Sequence, residues 1–209
     1  MAQVFIDHSF ITMTTPAFSI CVYCGSRSGT QPAFAYAAGE VGRWIGAHGG
    51  QLVYGGGKNG LMGIVALATI EAGGTVVGII PKGMVEREWA NNDCTELIVV
   101  DTMHERKAMM ADRADAFMAM PGGIGTFEEF FEIWTLKQLG YIDKPIGLLN
   151  LNGYYDKLAE FMQDTVQEGF VSDWQMEMVR IDSEAESLCE YLVQAAGMNP
   201  QPAPLLNRL

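Results

Sequence analysis

The chain has 209 residues, of which 49% are hydrophobic and 18% charged, a composition that excludes a disordered chain and fits one globular domain. Its 13 basic and 25 acidic residues give a net charge of −12, which argues against a protein that binds nucleic acid or anionic membranes non-specifically. A small anionic ligand needs only a local pocket, and the excess acidity lies mostly in residues 150–209, with 10 acidic and 3 basic side chains.

The two ends of the chain and its cysteines bear on domain organisation and compartment. Residues 1–12 lack the basic and apolar regions of a secretory signal, so we expect an extension that is disordered or was added by cloning. The proline-rich residues 197–209 are typical of a loose tail, which leaves one domain over residues 13–196. Cys21 and Cys24 form a lone C-x-x-C, and we expect both to be buried strand residues rather than zinc or redox ligands. These features predict a cytoplasmic protein.

In chain order, the apolar pattern alternates between short strands and longer helices. The predicted strands are residues 18–23, 51–54, 75–80, 96–100, 116–120, 145–149 and 178–181. The predicted helices follow Pro32 up to Gly49, follow the glycine turn up to Ala72, and span residues 103–114, 126–139, 153–168 and 184–195. Strands without polar alternation, separated by helices, predict a single doubly wound, Rossmann-like α/β domain. Its parallel sheet would have about seven strands with helices on both faces.

Three glycine-rich turns follow predicted strands, at Gly25-Ser26 and at residues 55–60 and 121–126. In doubly wound folds, ligands bind beyond the carboxyl ends of the strands, so these turns mark the expected site. Residues 55–60 match G-x-G-x-x-G, but the next strand does not end in the acidic residue that an NAD site needs. Lys58 lacks the following Ser or Thr of a P-loop. This turn therefore either lines another nucleotide site or is simply a tight connection.

The turn at residues 121–126 has two interpretations. Three glycines in Pro-Gly-Gly-Ile-Gly ahead of a helix can present bare N–H groups and a positive helix end to a phosphate. Alternatively, Thr126 and Glu129 form a capping box that serves only the helix. An aromatic stripe follows at helical spacing and is typical of core or interface packing: Phe127, Phe130, Phe131 and Trp134.

The start of the helix at residues 103–114 has a similar ambiguity. Thr102 and Glu105 have capping-box spacing, yet Arg106 and Lys107 place two cations where the helix dipole disfavours them. Such a choice indicates a function, such as neutralising an anion. We expect His104 to be solvated, and the sequence supports neither a Ser–His–Asp or Cys–His centre nor a bound metal.

These residues together resemble a known family. Residues 121–129 match the PGGxGTxxE signature of the LONELY GUY proteins, and residues 103–107 match their M-H-x-R-K element. The resemblance spans about residues 18–195. It implies a phosphoribohydrolase that cuts the N-glycosidic bond of a cytokinin riboside 5′-monophosphate such as isopentenyl-AMP, or of AMP, without a cofactor or metal. Relatives once labelled lysine decarboxylases belong here too, but the sequence shows no feature of a pyridoxal phosphate site.

The resemblance also implies the site. It assigns Arg106 and Glu129 as catalytic residues, and the remaining expected contacts all face the substrate or its phosphate. The resemblance places Glu88, Lys107, Gly122, Gly123, Ile124, Gly125, Thr126 and Thr135 at such contacts, and the other two glycine turns add Gly25, Ser26 and Gly56 as expected contacts. Glu88 and Thr135 are matched only by their spacing from the stronger motifs.

The mechanism expected from these residues places the 5′-phosphate on the glycine turn and the ribose C1′ beside Glu129. The carboxylate would stabilise the oxocarbenium ion and orient or deprotonate water, while Arg106 holds phosphate, ribose or departing base. Two alternatives remain open at this point: a non-catalytic nucleotide-binding or carrier protein that uses the same loops, and a dimeric scaffold built on the aromatic helix. A homodimer with sites near the interface is expected as well.

Overall fold

The computed structural model describes residues 15–87 and 89–202 of the chain. The predicted extension at residues 1–12 lies outside the described residues, as do Glu88 and the last part of the predicted tail. Of the helices in the described part, none is long and apolar enough to cross a membrane.

The described residues form one seven-stranded parallel sheet, as the alternating pattern predicted. Its strands are β1 Ser19–Tyr23, β2 Gln51–Tyr54, β3 Thr75–Pro81, β4 Glu96–Val100, β5 Ala116–Ala119, β6 Ile146–Leu149 and β7 Val179–Asp182. The strand order is β4-β3-β2-β1-β5-β6-β7. The chain builds outward from β1 to one edge and then crosses to β5 on the other side of β1. Parallel sheets of this type bind ligands where the order reverses, beyond the carboxyl ends of β1 and β5.

Helices cover both faces of the sheet. They are α1 Pro32–Ala47, α2 Gly60–Glu71, α3 Lys82–Val85, α4 Met103–Arg113, α5 Ile124–Gln138, α6 Asp156–Gln167, α7 Asp173–Met176 and α8 Ala185–Ala195. Alternate residues of β1 enter two separate cores: Ile20 packs with α1, α2 and α8, and Cys21 with α4, α5 and α6. This two-sided burial explains why the strands lack polar alternation.

The structure departs from the predicted elements in three places. Helix α5 begins at Ile124, two residues before its predicted start, because extended Gly123 serves as its N-cap. The predicted helix at residues 153–168 is a short 3₁₀ turn followed by α6, because Asn152 and Gly153 have positive φ angles of 51° and 71°. Helices α3 and α7 have four residues each, too short to leave a periodic apolar pattern.

Candidate active site

The three glycine turns meet at the carboxyl edge of the sheet. The Gly25 amide donates to the Pro121 carbonyl at 3.1 Å, and the Leu61 amide at the start of α2 donates to the Gly25 carbonyl at 3.0 Å. The turn after β1 is therefore bonded to the turn after β5 on one side and to α2 on the other. Together they enclose a cavity of about 550 Å³, a size that suits a small metabolite.

The turn at residues 121–126 opens α5 towards this cavity. Gly123 is the N-cap and provides no side-chain hydrogen bond, so the first amides of α5 are left for another acceptor. A Cβ placed on Gly123 or Gly125 would meet nothing within 4 Å, so both positions face open space. The Tyr154 hydroxyl donates to the Gly122 carbonyl and fixes the turn from its other side. This arrangement is the one that phosphate groups prefer at helix ends.

The capping-box interpretation of Thr126 and Glu129 is wrong. Both residues lie inside α5, and both are buried, with 3% and 8% of their surfaces exposed. Thr126 instead packs under Gly122, where an added Cβ would lie 2.1 Å from the Thr126 Oγ1. The capping box of Thr102 and Glu105 is confirmed and fixes the first turn of α4.

Arg106 and Glu129 form a buried ion pair at the back of the cavity. Arg106 Nη1 donates to Glu129 Oε1 at 2.9 Å, and Arg106 Nε donates to the Ile79 carbonyl at 3.1 Å. Arg106 is only 7% exposed. Gly55 makes room for it, because a Cβ there would lie 1.8 Å from Nη2. Two motifs that lie 23 residues apart in sequence thus supply the two halves of one charged pair.

The buried position changes the protonation of Glu129. Burial raises the pKa of the Glu129 carboxyl above its ordinary value of 4.5, and the guanidinium of Arg106 opposes this shift without cancelling it. A carboxyl with a raised pKa exchanges protons nearer to neutral pH than a solvated one does. Such a group is suited to general base and acid chemistry.

Most predicted contacts lie on the cavity wall, and some do not. Gly25, Ser26, Gly123, Ile124, Gly125 and Thr126 line it with the two catalytic candidates, while Gly122 lines a smaller adjoining cavity. Gly56, with a φ of 72°, lies against Ile80 behind the wall. Glu88 is outside the described residues.

Lys107 and Thr135 are absent from the wall formed by the described residues. Lys107 forms ion pairs with Glu128 and, at 3.0 Å, with Glu132. Burial lowers the pKa of Lys107 and the hydrogen bonds to these carboxylates raise it, with a net increase. Thr135 is exposed on α5, where its hydroxyl donates to the Phe131 carbonyl at 2.7 Å. Within one chain, neither side chain reaches the cavity.

An apolar part of the cavity was missed by the sequence analysis. It is lined by Met62, Ile80, Met84, Trp89 and Met103, which we call the apolar lobe. These side chains come from separate elements and share no spacing, so no motif signals them. The lobe depends on the glycine turn after β2, because the Lys58 amide donates to the Trp89 carbonyl at 3.0 Å and the Asn91 amide to the Gly56 carbonyl at 2.8 Å.

The sequence analysis also missed three polar residues on the wall, namely Arg27, Asn59 and Glu128. Both C-x-x-C cysteines are buried and unpaired, as predicted, but only Cys21 is a strand residue, since β1 ends at Tyr23 and Cys24 follows it. Burial raises the pKa of both thiols far above the usual range, so neither is a reactive thiolate. His104 is exposed, and within residues 15–87 and 89–202 no cluster of metal-binding side chains occurs.

Comparison with known proteins identifies the family. A family described as "possible lysine decarboxylase" matches residues 62–192. Cytokinin riboside 5′-monophosphate phosphoribohydrolase LOG2 of Arabidopsis thaliana is 49% identical over 153 residues, which are 73% of this chain and 72% of that protein. The Arabidopsis phosphoribohydrolase LOG3 is 43% identical over 187 residues, covering 90% of this chain and 87% of its own.

Solved structures agree on the fold. The molybdenum cofactor carrier protein of Chlamydomonas reinhardtii superposes with a TM-score of 0.67 at 21% identity, covering 88% of this chain and 99% of that one. A molybdenum cofactor binding protein of Rippkaea orientalis gives a TM-score of 0.63 at 22% identity, with 88% and 98% covered. At this identity the likeness concerns the architecture alone.

The description of the matched family as a lysine decarboxylase does not fit the residues of the cavity. Decarboxylases of that kind hold pyridoxal phosphate through a lysine Schiff base. The described residues that line the cavity include no lysine. The wall does include Arg106, Gly123 to Thr126, Glu128 and Glu129. The relatives that share 49% and 43% identity over 73% and 90% of this chain are named as phosphoribohydrolases. The chain therefore belongs to the LONELY GUY family.

Proposed function

We propose that this protein hydrolyses the N-glycosidic bond of a purine riboside 5′-monophosphate, releasing the free base and ribose 5-phosphate. The substrate class comprises cytokinin riboside 5′-monophosphates such as isopentenyl-AMP, and AMP itself. The observation that carries the proposal is the Arg106–Glu129 pair, buried between an open helix end and an apolar lobe. The relatives named as phosphoribohydrolases support the same reaction.

The order of the cavity wall suggests how such a substrate binds. The 5′-phosphate accepts hydrogen bonds from the first amides of α5, which no side chain caps. The base extends in the opposite direction, into the apolar lobe, where Trp89 and three methionines offer flat and adaptable contacts. The ribose then spans the distance between them and brings C1′ to Glu129.

Glu129 is the group that acts at C1′. As the C1′–N bond breaks, positive charge grows on the sugar and negative charge on the base. The carboxylate stabilises the cation and accepts a proton from the attacking water, whose oxygen forms the new bond to C1′. The departing base takes a proton from solvent and Glu129 returns to solvent the proton that it took from water, so the products are neutral base and ribose 5-phosphate and the carboxylate is regenerated. A raised pKa lets Glu129 take up that proton readily.

Arg106 orients and balances this carboxylate. Its guanidinium stays charged at neutral pH, so it donates hydrogen bonds and does not transfer protons. The bonds to Glu129 and to the Ile79 carbonyl hold it in one orientation. Its remaining N–H groups can then bind hydroxyl groups of the ribose or the departing base, and it is on the base that negative charge develops.

One experiment distinguishes this reaction from the carrier alternative. Purified protein is incubated with AMP or isopentenyl-AMP, and the free base is measured by HPLC. The proposal expects adenine or isopentenyladenine to accumulate over many turnovers. A carrier would bind the nucleotide without releasing base. A pure scaffold would neither bind the nucleotide nor release base.

We also propose that the protein is a cytoplasmic homodimer. Its four cysteines are all unpaired, in keeping with a reducing compartment. On α5, Ile124, Glu128, Phe131 and Thr135 are exposed at helical spacing, which continues to the exposed C-cap residue Leu139, and we call these five residues the α5 stripe. A second copy that packs on this stripe would lie beside Ile124 at the mouth of the cavity and bring its own Thr135 towards it.

A further inference from the structure

The positive charges of the main cavity do not all serve the same purpose. Among the described residues, Arg27 and Arg106 are the cations on its wall, and Glu128 and Glu129 are the carboxylates. Arg106 is committed to Glu129 and the Ile79 carbonyl. Lys107 is turned towards Glu128 and Glu132. A phosphate dianion entering this cavity therefore needs a cation that neither carboxylate already neutralises.

Arg27 is available for that purpose. Within residues 15–87 and 89–202 its guanidinium makes no ion pair or side-chain hydrogen bond. It lines the main cavity and also an adjoining one of about 360 Å³, whose wall includes Gly122 and Gly123. Among the described residues, no carboxylate lines that second cavity. On the described wall of that second cavity Arg27 is thus the one Asp, Glu, Lys or Arg side chain, in a chain of net charge −12.

The backbone that carries Arg27 is held firmly against the phosphate turn. Gly25 is hydrogen bonded to Pro121 at 3.1 Å and to Leu61 at 3.0 Å. Gly60, with a φ of 60°, approaches so closely that a Cβ there would lie 2.4 Å from the Arg27 amide. Arg27 therefore leaves a fixed point one residue from Ser26 and next to the open end of α5.

We propose that Arg27 binds the 5′-phosphate of the substrate and sets the preference of the site for phosphorylated ribosides over ribosides. This inference rests on the proposed function. Arg27 supplies the charge that the helix end alone lacks, and a guanidinium can bind two phosphate oxygens at once. It acts in binding, whereas Arg106 acts at the reacting bond.

The test compares Arg27→Met, which removes the charge, with Arg27→Lys, which keeps it without the planar fork. The matched control is Arg43→Met, on α1 outside the wall of the main cavity. Isothermal titration calorimetry with ribose 5-phosphate and with adenine gives binding without turnover. Kinetics with AMP and with adenosine separate KM from kcat.

For Arg27→Met we expect ribose 5-phosphate to bind about 10- to 100-fold more weakly, as for a lost hydrogen bond to a charged group. Adenine binding should not change. The KM for AMP should rise by a similar factor with a smaller change in kcat, and adenosine turnover should stay as in the unchanged protein. Arg27→Lys should recover part of the affinity, and Arg43→Met should behave as the unchanged protein.

Several results would overturn the inference. They are undiminished ribose 5-phosphate binding by Arg27→Met, an equal loss with adenosine and AMP, or no ribose 5-phosphate binding by the unchanged protein. The proposed function fails separately, when no base is released from any nucleotide. In that case weaker ribose 5-phosphate binding by Arg27→Met would still support a phosphate contact at Arg27.

Discussion

At the scale of single residues, Arg106 and Glu129 are held out of water and within 2.9 Å of each other. Removing two charges from water costs several kcal/mol per ion, and the attraction between them recovers this only with good geometry. An apolar pair of the same volume would stabilise the fold at least as well. The pair is therefore better explained by chemistry in the cavity that it lines than by stability.

Glu129→Gln tests the catalytic assignment. The amide keeps the size of the side chain but neither stabilises a cation nor accepts a proton, so kcat for AMP should fall at least about 100-fold. The matched control is Glu132→Gln. Glu132 lies about one turn further along α5 and is absent from the cavity wall of the described chain, so this variant should keep the kcat of the unchanged protein. Turnover of Glu129→Gln close to that of the unchanged protein would rule out a catalytic carboxylate here.

The protonation of Glu129 gives a pH dependence of known sign. Since burial raises its pKa above 4.5, the ionised base is lost already at a pH above 4.5 as the solution is made more acidic. We expect kcat to fall with decreasing pH over that range. The substrate phosphate also ionises near pH ~6, so the carboxyl should be titrated by ¹³C NMR in the free protein, with Glu129→Gln to assign its signal. Titration at or below pH 4.5 would contradict a pKa raised by burial.

Sequence reasoning found those site residues whose type is unusual for their position. Arg106 is conspicuous because a cation at a helix start is unfavourable. The glycines before α5 are conspicuous because a helix needs no run of three glycines in order to start, whereas a phosphate site does use them. Trp89 and Met84 lie in the apolar lobe, but in sequence they resemble core residues. Arg27 lies in a polar turn, where a solvated arginine is expected. Their roles depend on which elements meet in space.

At the scale of elements, the starts of α4 and α5 show why one pattern has two outcomes. Both contain Thr-x-x-Glu, but only Thr102 and Glu105 bond to the backbone as a capping box. Before α5, the glycine turn lets the helix begin at Ile124, so Thr126 and Glu129 already lie within it and turn inward. The sequence cannot decide between these outcomes, because packing against Gly122 and Arg106 fixes where the helix starts.

Thr102→Ala tests how much the capping box at the start of α4 stabilises the folded protein. Loss of this N-cap should lower the free energy of unfolding by about 1 kcal/mol, which corresponds to a fall in Tm of roughly 2–4 °C for a chain of this size. Thr135→Ala, in the last turn of α5, should lower Tm less, because alanine favours helix formation. Calorimetry measures both, and equal effects would mean that Thr102 does not act as a cap.

Gly55→Ala tests how the turn after β2 positions Arg106. The added Cβ would lie 1.8 Å from Nη2 and 2.9 Å from Met62 Cε, so the guanidinium must move away from Glu129. We expect kcat to fall at least about 10-fold, since a misplaced group of this kind loses most of its effect. The control is Gly83→Ala in α3, where a Cβ meets nothing within 4 Å. If both variants keep full activity, the guanidinium does not need its observed position.

At the scale of the whole molecule, strand order explains how distant motifs form one site. The chain turns back between β4 and β5, so the turns after β1, β2 and β5 meet at one edge although nearly 100 residues separate the first from the last. The parallel sheet was predictable from the alternation of strands and helices. None of the carboxylates among described residues 150–202 lines either of the two cavities at this edge, whereas Tyr154 reaches it and donates its hydroxyl to the Gly122 carbonyl. The proposed phosphate site is thus lined by residues that precede the acidic last part of the sequence.

The exposed α5 stripe predicts that the protein forms a homodimer. Phe131 is 37% exposed and Leu139 62%, and both lie in line with Ile124 at the cavity, which is unusual for a surface helix without a partner. Light scattering should therefore give a mass of about twice 22.8 kDa. Leu139→Glu should dissociate the dimer into monomers. Tyr36→Glu, which changes a 66% exposed aromatic residue of α1, should leave the dimer intact. If the Thr135 contact implied by the family resemblance is made across this interface, Leu139→Glu should also lower kcat/KM for AMP. A monomeric unchanged protein with full activity would exclude both the interface and that contact.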